Sequence, residues 1–368
     1  MSYRNLTNAY GVPACFPGIP AKKGDECDYK NCGGQKLCNF CVANPRDYKC
    51  LIRGSCDYQP IDEFWEKFTY NNFYSLQNFM ALGDLIGRVW IKACGISHGN
   101  VHAIKNANLI ENLPLKSVGN ISSKYAFDKQ EIYGELFTMT NNLNNAILVF
   151  RGLAYWIPEE SVLASEMKQV QLPSIIKSGI NLLVYEGALK TYLGIRDSMF
   201  AVLSKWINNS NSQNLIITGD SFGGPMSILA ALDISDKFKI KPNLCTFSSP
   251  NVGNPNFAMA VRNACNMAVG ILNKNDIIPD IPPAFFADKS IGNYEYTTNT
   301  NIVVSFNIAP IDGGFKEGLN NHNLWVLLAA LVQLGINNKT KTWNWSKSDV
   351  KFYQYIFQKY KASLPPIL

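Results

Sequence analysis

The chain has 368 residues, of which 47% are hydrophobic and 17% are charged, and its formal net charge is +6. These values supply ample apolar material for a core and exclude a wholly disordered chain. Lysine and arginine are spread along the sequence without a run of like charges, which argues against a tail that binds nucleic acid. The length predicts one large domain, or one domain with a small appendage.

The amino-terminal part of the chain is rich in cysteine, since seven of the ten cysteines lie before residue 57. They are Cys15, Cys27, Cys32, Cys38, Cys41, Cys50 and Cys56. This density predicts a small cross-linked module, residues 1–60, ahead of a main domain, residues 61–368. Three interpretations stay open for the module: disulfides, with Cys94 as a partner for the odd thiol; a zinc site of four cysteine ligands; or free thiols.

Targeting signals give a mixed result. The amino terminus lacks the continuous apolar segment of a signal peptide. The longest apolar run, residues 324–336, is short and contains Gln333, so we expect a core helix there and no transmembrane segment. The crowded cysteines nevertheless favour an oxidising setting. Localisation therefore stays open, with export by a route other than ordinary secretion, or association with a particle, as the two options.

Hydrophobic spacing predicts two kinds of region in the main domain. Apolar residues at three- and four-residue steps predict a helix over residues 62–91, with Asp62 as its N-cap. A strand rhythm then begins near Lys124, and a hairpin is predicted for residues 135–140 and 146–150. The strands and helices that follow alternate. The predicted strands are 182–185, 215–218, 244–247 and 268–272, and the predicted helices are 189–207, 225–233 and 256–266.

This alternation predicts an α/β fold with a mostly parallel central sheet covered by helices on both faces. Residues 219–224 read Gly-Asp-Ser-Phe-Gly-Gly and lie between a predicted strand and a predicted helix. Strand, sharp turn and helix is the arrangement of a nucleophile elbow, in which flanking glycines leave room for neighbouring backbone. Ser221 is therefore the candidate nucleophile. The alternative is an ordinary glycine-rich turn with a serine that faces solvent.

A serine nucleophile needs a base and a carboxylate that orients the base. In an α/β-hydrolase the chain order is serine, acid, histidine, and His322 is the one histidine that follows Ser221. Asp276 fits best as the acid, because it directly follows a predicted strand and precedes a proline-rich loop. The other candidate acids in this interval are Asp280, as second choice, and then Asp288 and Asp312.

Several ordered stretches resemble the class 3 (fungal-type) triacylglycerol lipase family. They are Ile-Leu-Val-Phe-Arg-Gly at 147–152, the segment from Val184 to Tyr192, Ile-Thr-Gly-Asp-Ser-Phe-Gly-Gly at 217–224, Thr-Phe-Ser-Ser-Pro-Asn-Val-Gly-Asn-Pro at 246–255, and Asn-x-x-Asp-x-x-Pro at 273–279. The resemblance covers roughly residues 126–336. It implies an α/β-hydrolase fold, with Ser221 as nucleophile, Asp276 as acid and His322 as base.

The resemblance also implies how the site works. The backbone N–H groups of Leu153 and Phe222 would form the oxyanion hole, and residues 154–162 would form an amphipathic flap over a lipid substrate, with a packed surface helix as the alternative. Three positions depart from the family pattern. Asp220 stands where the family usually has histidine, Phe222 where it usually has leucine, and Leu153 where it usually has threonine or serine.

The sequence therefore predicts a carboxylic-ester hydrolase that acts on lipid esters, with no cofactor and no metal in its site. We expect a lipid or ester substrate, contact with lipid surfaces and no nucleic-acid partner, while the oligomeric state stays open. The alternative is a catalytically weak or inactive lipase-fold protein with a structural or binding role. Leu153 and the Cys-rich module favour that alternative, because neither matches the family.

Overall fold

The computed structural model describes residues 62–97, 110–124, 130–153, 158–177, 181–209, 213–281, 302–306, 322, 324, 327–328 and 330–332. The Cys-rich module, residues 1–60, lies outside the described residues, as do the disulfide and zinc hypotheses for it. So do two of the aspartates weighed as the acid, Asp288 and Asp312. Among the described residues, Cys245 and Cys265 are buried free thiols.

Five helices and nine strands lie within the described ranges. The helices are α1 (Leu76–Ser97), α2 (Pro158–Ser165), α3 (Glu186–Ile207), α4 (Gly223–Phe238) and α5 (Pro255–Ala264). The strands are β1 (Leu115–Lys124), β2 (Gln130–Met139), β3 (Asn145–Phe150), β4 (Gln169–Gln171), β5 (Leu183–Tyr185), β6 (Asn214–Asp220), β7 (Asn243–Phe247), β8 (Met267–Asn273) and β9 (Ile302–Phe306).

Seven of these strands form the central sheet, in the order β1-β2-β3-β6-β7-β8-β9. The first two pairings are antiparallel and include the predicted hairpin, β2 with β3. Every pairing from β3 to β9 is parallel. The prediction of an α/β fold with a mostly parallel sheet is confirmed. Because parallel strands end at the same edge, β6, β7 and β8 bring their carboxyl ends together there.

Each face of the sheet carries its own hydrophobic cluster. Along β3, Ile147 and Val149 belong to the cluster that includes α1, whereas Leu148 and Phe150 belong to the cluster that includes α3 and α4. Successive side chains of a strand point to opposite faces, so an unbroken apolar strand must be covered on both sides. The continuous apolar sequence of β3 thus reports its central place in the sheet.

The helix predicted over residues 62–91 is wrong in its first half. Residues Asp62–Trp65 form a short 3-10 turn, and α1 begins only at Leu76. The intervening loop is fixed by the side chain of Asn78, whose amide donates to the backbone oxygens of Thr69 and Asn72. Apolar spacing continues through this loop because its aromatic side chains are buried, and it therefore mimics a helix.

The predicted N-cap is also wrong. Ser75 precedes α1, and its hydroxyl accepts the N–H of Asn78 at 3.2 Å, which is the bond an N-cap makes. Asp62 instead accepts a hydrogen bond from Arg88 at 2.8 Å. A capping side chain bonds locally, so the choice between two polar candidates depends on where the backbone starts to coil.

The strand predictions need two corrections. β5, predicted as part of the alternating series, lies in a separate two-stranded antiparallel sheet with β4. β1 begins at Leu115, well before Lys124, and its polar sequence with two register shifts hides the period-2 pattern of a strand.

The apolar run of residues 324–336 contributes to the core, as predicted. In the described part of the chain, the cluster that includes α1 contains the buried side chains of Leu327, Leu328, Ala330, Leu331 and Val332, and Leu324 packs against it partly buried. Among the helices that the structure describes, none combines the length and the hydropathy that crossing a membrane requires.

Candidate active site

The turn between β6 and α4 has the geometry of a nucleophile elbow. Ser221 adopts a φ of 53°, in the left-handed region that residues other than glycine rarely occupy. Its N–H donates to the carbonyl of Phe247 on β7 at 2.9 Å, and its carbonyl accepts the N–H of Gly224 at 2.9 Å. These bonds hold Ser221 at the carboxyl edge of the parallel sheet in a strained backbone conformation.

Close backbone packing explains the glycines on either side of Ser221. A Cβ on Gly219 would collide with the carbonyl of Gly223, and a Cβ on Gly223 would collide with the carbonyls of Phe150 and Arg151. A Cβ on Gly152 would lie 3.0 Å from the Cβ of Ser221. The chain that leaves β3 therefore lies directly against the elbow, as the oxyanion-hole hypothesis requires.

The turn that follows β8 presents Asp276. Its N–H donates to the carbonyl of Asn273 at 3.0 Å, and its Oδ1 accepts the N–H of Ile278 at 2.9 Å. Asp276 is 2% exposed, whereas the second-choice acid, Asp280, is exposed to solvent. One carboxylate oxygen of Asp276 is thus used by its own turn, and the other is directed at a partner.

His322 joins the two turns. Its Nδ1 lies 2.8 Å from Oδ2 of Asp276, and its Nε2 lies 2.7 Å from Oγ of Ser221. With a proton on Nδ1, the ring donates to the carboxylate and leaves Nε2 to accept the hydroxyl proton of Ser221. The structure therefore brings together the three residues selected from the sequence, although 101 positions separate Ser221 from His322.

The charges around His322 favour its protonated form. Burial lowers the pKa of the imidazole, but the charge and hydrogen bond of Asp276 and the charge of Asp220 outweigh it, and the pKa is raised. A raised pKa means that these carboxylates stabilise the imidazolium. That is the form which a general base reaches when it takes the proton of a serine.

Asp220 is a second carboxylate at this edge of the sheet, and sequence reasoning noted it only as a departure from the family. It is 8% exposed, and burial raises its pKa to about 7. One signal for its importance was available: an acidic residue at the end of an otherwise apolar strand, beside the candidate nucleophile.

The two residues proposed for the oxyanion hole flank Ser221 from different elements. Phe222 precedes α4 with a helical backbone, φ −64° and ψ −18°, so its N–H lies at the positive end of that helix dipole. Leu153 follows Gly152, and its half-buried side chain packs against the cluster that includes α3. This placement agrees with the predicted roles, which stay predictions.

The predicted flap differs from expectation in its charged face. Residues 158–165 form α2, but Glu160 is buried and does not face solvent. Its carboxylate accepts two hydrogen bonds from Arg151, at 2.6 and 3.0 Å. Arg151 also donates to the carbonyl of Ile132 at 2.6 Å and lies 4.5 Å from the ring centroid of Tyr133. A buried carboxylate is tolerated there because this guanidinium pairs with it.

Among the residues that the structure describes, no three histidine, cysteine, aspartate or glutamate side chains are grouped so that they could hold a metal ion.

Part of the chain is similar in sequence to known lipases. Residues 147–286 match the family model described as lipase (class 3). Over these residues the chain is similar to the class 3 lipase family. The lipase of Rhizopus niveus is 30% identical over 107 residues, which are 28% of this chain and 27% of that protein. A secreted mono- and diacylglycerol lipase of Malassezia globosa is 30% identical over 122 residues, 32% of this chain and 40% of that protein.

The aligned part of the chain thus spans less than half of the length of these relatives. Among solved structures, lipase II from Rhizopus niveus is similar with a TM-score of 0.45 and 20% identity, over 66% of this chain and 82% of that chain. A fungal lipase–inhibitor complex is similar with a TM-score of 0.46 and 20% identity, over 67% of this chain and 82% of that chain.

Proposed function

We propose that the protein hydrolyses carboxylic esters of lipids through an acyl-enzyme formed on Ser221. One observation carries the proposal, namely the continuous hydrogen-bonded chain from Asp276 through His322 to Ser221, at 2.8 and 2.7 Å. A strained serine in a strand–turn–helix elbow, a histidine at hydrogen-bonding distance and a buried carboxylate behind it are the parts of a serine hydrolase.

In the acylation step, Oγ of Ser221 attacks the ester carbonyl carbon while Nε2 of His322 takes the hydroxyl proton. Asp276 accepts the Nδ1–H bond and stabilises the imidazolium. The carbonyl oxygen becomes an oxyanion, which the N–H groups of Phe222 and Leu153 would bind. His322 then gives its proton to the departing alcohol. A water molecule repeats the sequence on the acyl-enzyme and releases the carboxylic acid and free Ser221.

The substrate class follows from the relatives. They are named lipases, mono- and diacylglycerol lipases and, in Arabidopsis thaliana at 26% identity, a phospholipase A(1). We therefore propose acyl esters of glycerol as the substrates of this protein. Contact with a lipid surface is supported by Val162, which is 60% exposed on α2 close in sequence to the oxyanion segment. A relative named as secreted supports an extracellular location.

Leu153 supports one alternative function. It lacks the side-chain hydroxyl that would add a donor to the oxyanion hole, which favours a lipase-fold protein with little turnover and a structural or binding role. The two functions differ in what Ser221 does. A polarised serine reacts with a fluorophosphonate and turns over esters, whereas a serine that is merely well placed does not complete both reactions.

The decisive experiment labels the protein with a fluorophosphonate and measures hydrolysis of short and long p-nitrophenyl esters. Ser221→Ala should abolish both signals and leave the fold intact. Ser227→Ala is the matched control, because its hydroxyl bonds the carbonyl of Gly223 at 2.8 Å within α4 and serves no triad residue. Activity of Ser221→Ala within about threefold of the unmodified protein would refute the proposal. Labelling without turnover would support the alternative.

A further inference from the structure

Asp220 is a buried acidic residue whose burial is not explained by its own hydrogen bonds. It is the last residue of β6, next to Ser221, and its backbone pairs with Phe247 of β7. Its side chain is 8% exposed, yet its Oδ1 has no hydrogen-bond partner in the part of the chain that the structure describes. A buried carboxylate oxygen in this state destabilises the folded protein, and such groups need a functional or structural reason.

The electrostatic neighbours of Asp220 are the triad residues themselves. Its charge favours the protonated form of His322, and the charges of His322 and Asp276 act on it in turn. The backbone N–H of Ser221, next in the chain, lowers the pKa of Asp220 slightly against the larger effect of burial. His322 is therefore acted on by two carboxylates, one through a hydrogen bond and one through its charge.

Other charged groups near β6 already have partners. On α1, which packs on the face of Ile216, Arg88 is bound by Asp84 at 2.5 Å. Lys92 of α1 is bound by Glu135 at 2.8 Å. After β3, Arg151 is bound by Glu160. On α4, Asp233 is bound by Arg196 and Asp236 is bound by Lys177. The ammonium group of Lys237, also on α4, lies over the ring of Phe200.

We propose that Asp220 is a positioning residue for His322, whose negative charge stabilises the imidazolium formed when Ser221 gives up its proton. This inference rests on the hydrolase function proposed above and adds a second carboxylate to it. Asp276 fixes the tautomer and orientation of the ring through its hydrogen bond. Asp220 supplies charge without a direct bond, from the strand that carries the nucleophile.

The charge of Asp220 depends on pH near neutrality. Burial raises its pKa to about 7. Below that pH the carboxyl group is neutral and Asp276 acts on His322 alone, whereas above it both carboxylates act. Because the two groups interact, their titrations are coupled, and each experiment observes the pair.

A titration by NMR tests the electrostatic contact without any turnover. The chain has three histidines, so the imidazole signals are few, and His322→Asn identifies the one of interest. In Asp220→Asn, the titration midpoint of His322 should move to lower pH, because a stabilising charge is lost. Asp236→Asn removes a half-exposed carboxylate on the surface of α4 and should leave the midpoint unchanged. An unchanged midpoint in Asp220→Asn would overturn the inference.

Kinetics test the consequence for catalysis. At pH 8, Asp220→Asn should lower kcat on a short p-nitrophenyl ester about tenfold with little change in KM, the equivalent of one pKa unit. At pH 6 the two proteins should agree within about twofold, because the native carboxyl group is then largely neutral. Equal losses at both pH values would indicate a loosened elbow and overturn the inference. An inactive unmodified protein would instead overturn the proposed hydrolase function, and the NMR titration would still decide on Asp220.

Thermal unfolding checks that the variant folds and tests the same carboxyl group. The folded pKa of about 7 exceeds the unfolded value of about 3.9, so the native protein loses stability as pH rises from about 4 through 7. Asp220→Asn should therefore raise Tm at pH 8 more than at pH 5. A gain that does not grow with pH would contradict the burial argument. If Asp220→Asn fails to fold, Asp220→Ala serves for all three measurements.

Discussion

The elbow, residues 219–224, and the segment after β3, described at residues 151–153 and 158–165, are held in different ways. Gly152 of that segment lies against the Cβ of Ser221. The elbow is fixed by backbone hydrogen bonds and by the lack of space for a Cβ at Gly219 and Gly223. The segment after β3 is fixed by a buried ion pair between Arg151 and Glu160. A turn that is fixed by local steric limits requires particular residues, such as glycine, and is therefore recognisable as a sequence motif. A segment that is fixed by a pair of distant side chains has no such motif.

The difference predicts which substitutions affect chemistry and which affect stability. Ser221 of the elbow and Asp276 of the acid turn are placed by their own backbone, so these two side chains can be changed with the fold retained. The side chain of Glu160 helps to place its own segment. A substitution of Glu160 should therefore affect the stability of the protein more than its catalytic rate.

The largest effect is expected at the acid. Asp276→Asn should lower kcat by about 10⁴, because an amide no longer fixes the Nδ1–H tautomer of His322 or stabilises the imidazolium. Asp280→Asn is the matched control, since Asp280 lies in the same loop and is exposed. Steady-state kinetics on a p-nitrophenyl ester measure both variants. Similar rates for the two would mean that Asp276 is not the acid, whatever its distance from His322.

The three residues of the proposed triad could be selected from the sequence because each carries a local or ordering signal. Ser221 has its motif, Asp276 follows a strand and precedes prolines, and the chain order selects His322. The alternating strands of the central sheet were predictable for a related reason, since strands buried on both faces are continuously apolar. These signals survive without knowledge of any long-range contact.

The remaining features depend on contacts between distant residues. The break before α1 is made by Asn78, which bonds back to Thr69, and apolar spacing cannot report such a bond. The sequence does not distinguish Glu160 from a solvent-exposed glutamate. Its burial is recognised only from the structure, which places Arg151 beside it. The pKa of Asp220 likewise depends on its burial and on the charges of His322 and Asp276, which are distant in sequence.

The second largest effect is expected at that ion pair. Glu160→Gln should lower the free energy of unfolding by about 3–5 kcal/mol, because the variant leaves the buried guanidinium of Arg151 without its counter-charge. Glu166→Gln is the matched control, since the salt bridge of Glu166 with Lys190 is partly exposed and solvent screening leaves it little effect on stability. Urea unfolding of both variants measures the difference. Equal losses would show that the segment after β3 is not held by the pair.

The smallest effect concerns Leu153, where the two regions meet. A hydroxyl at this position would add a third donor to the two backbone N–H groups of the proposed oxyanion hole. Leu153→Thr should therefore raise kcat about tenfold, less than the 10²–10³ usual for one oxyanion donor, because leucine also excludes water. KM should change little, since the added bond forms in the transition state.

Leu153→Val is the control that isolates the hydroxyl, because valine has nearly the shape of threonine and no donor. If the gain comes from a new hydrogen bond, threonine should be faster than valine on the same short ester while both lose similar stability. The side chain of Leu153 packs against the cluster that includes α3, so a modest loss is expected from either variant. Equal kcat values for the threonine and valine variants would mean that a hydroxyl at this position does not reach the oxyanion. If Leu153 instead lines the acyl pocket, KM should rise in both variants.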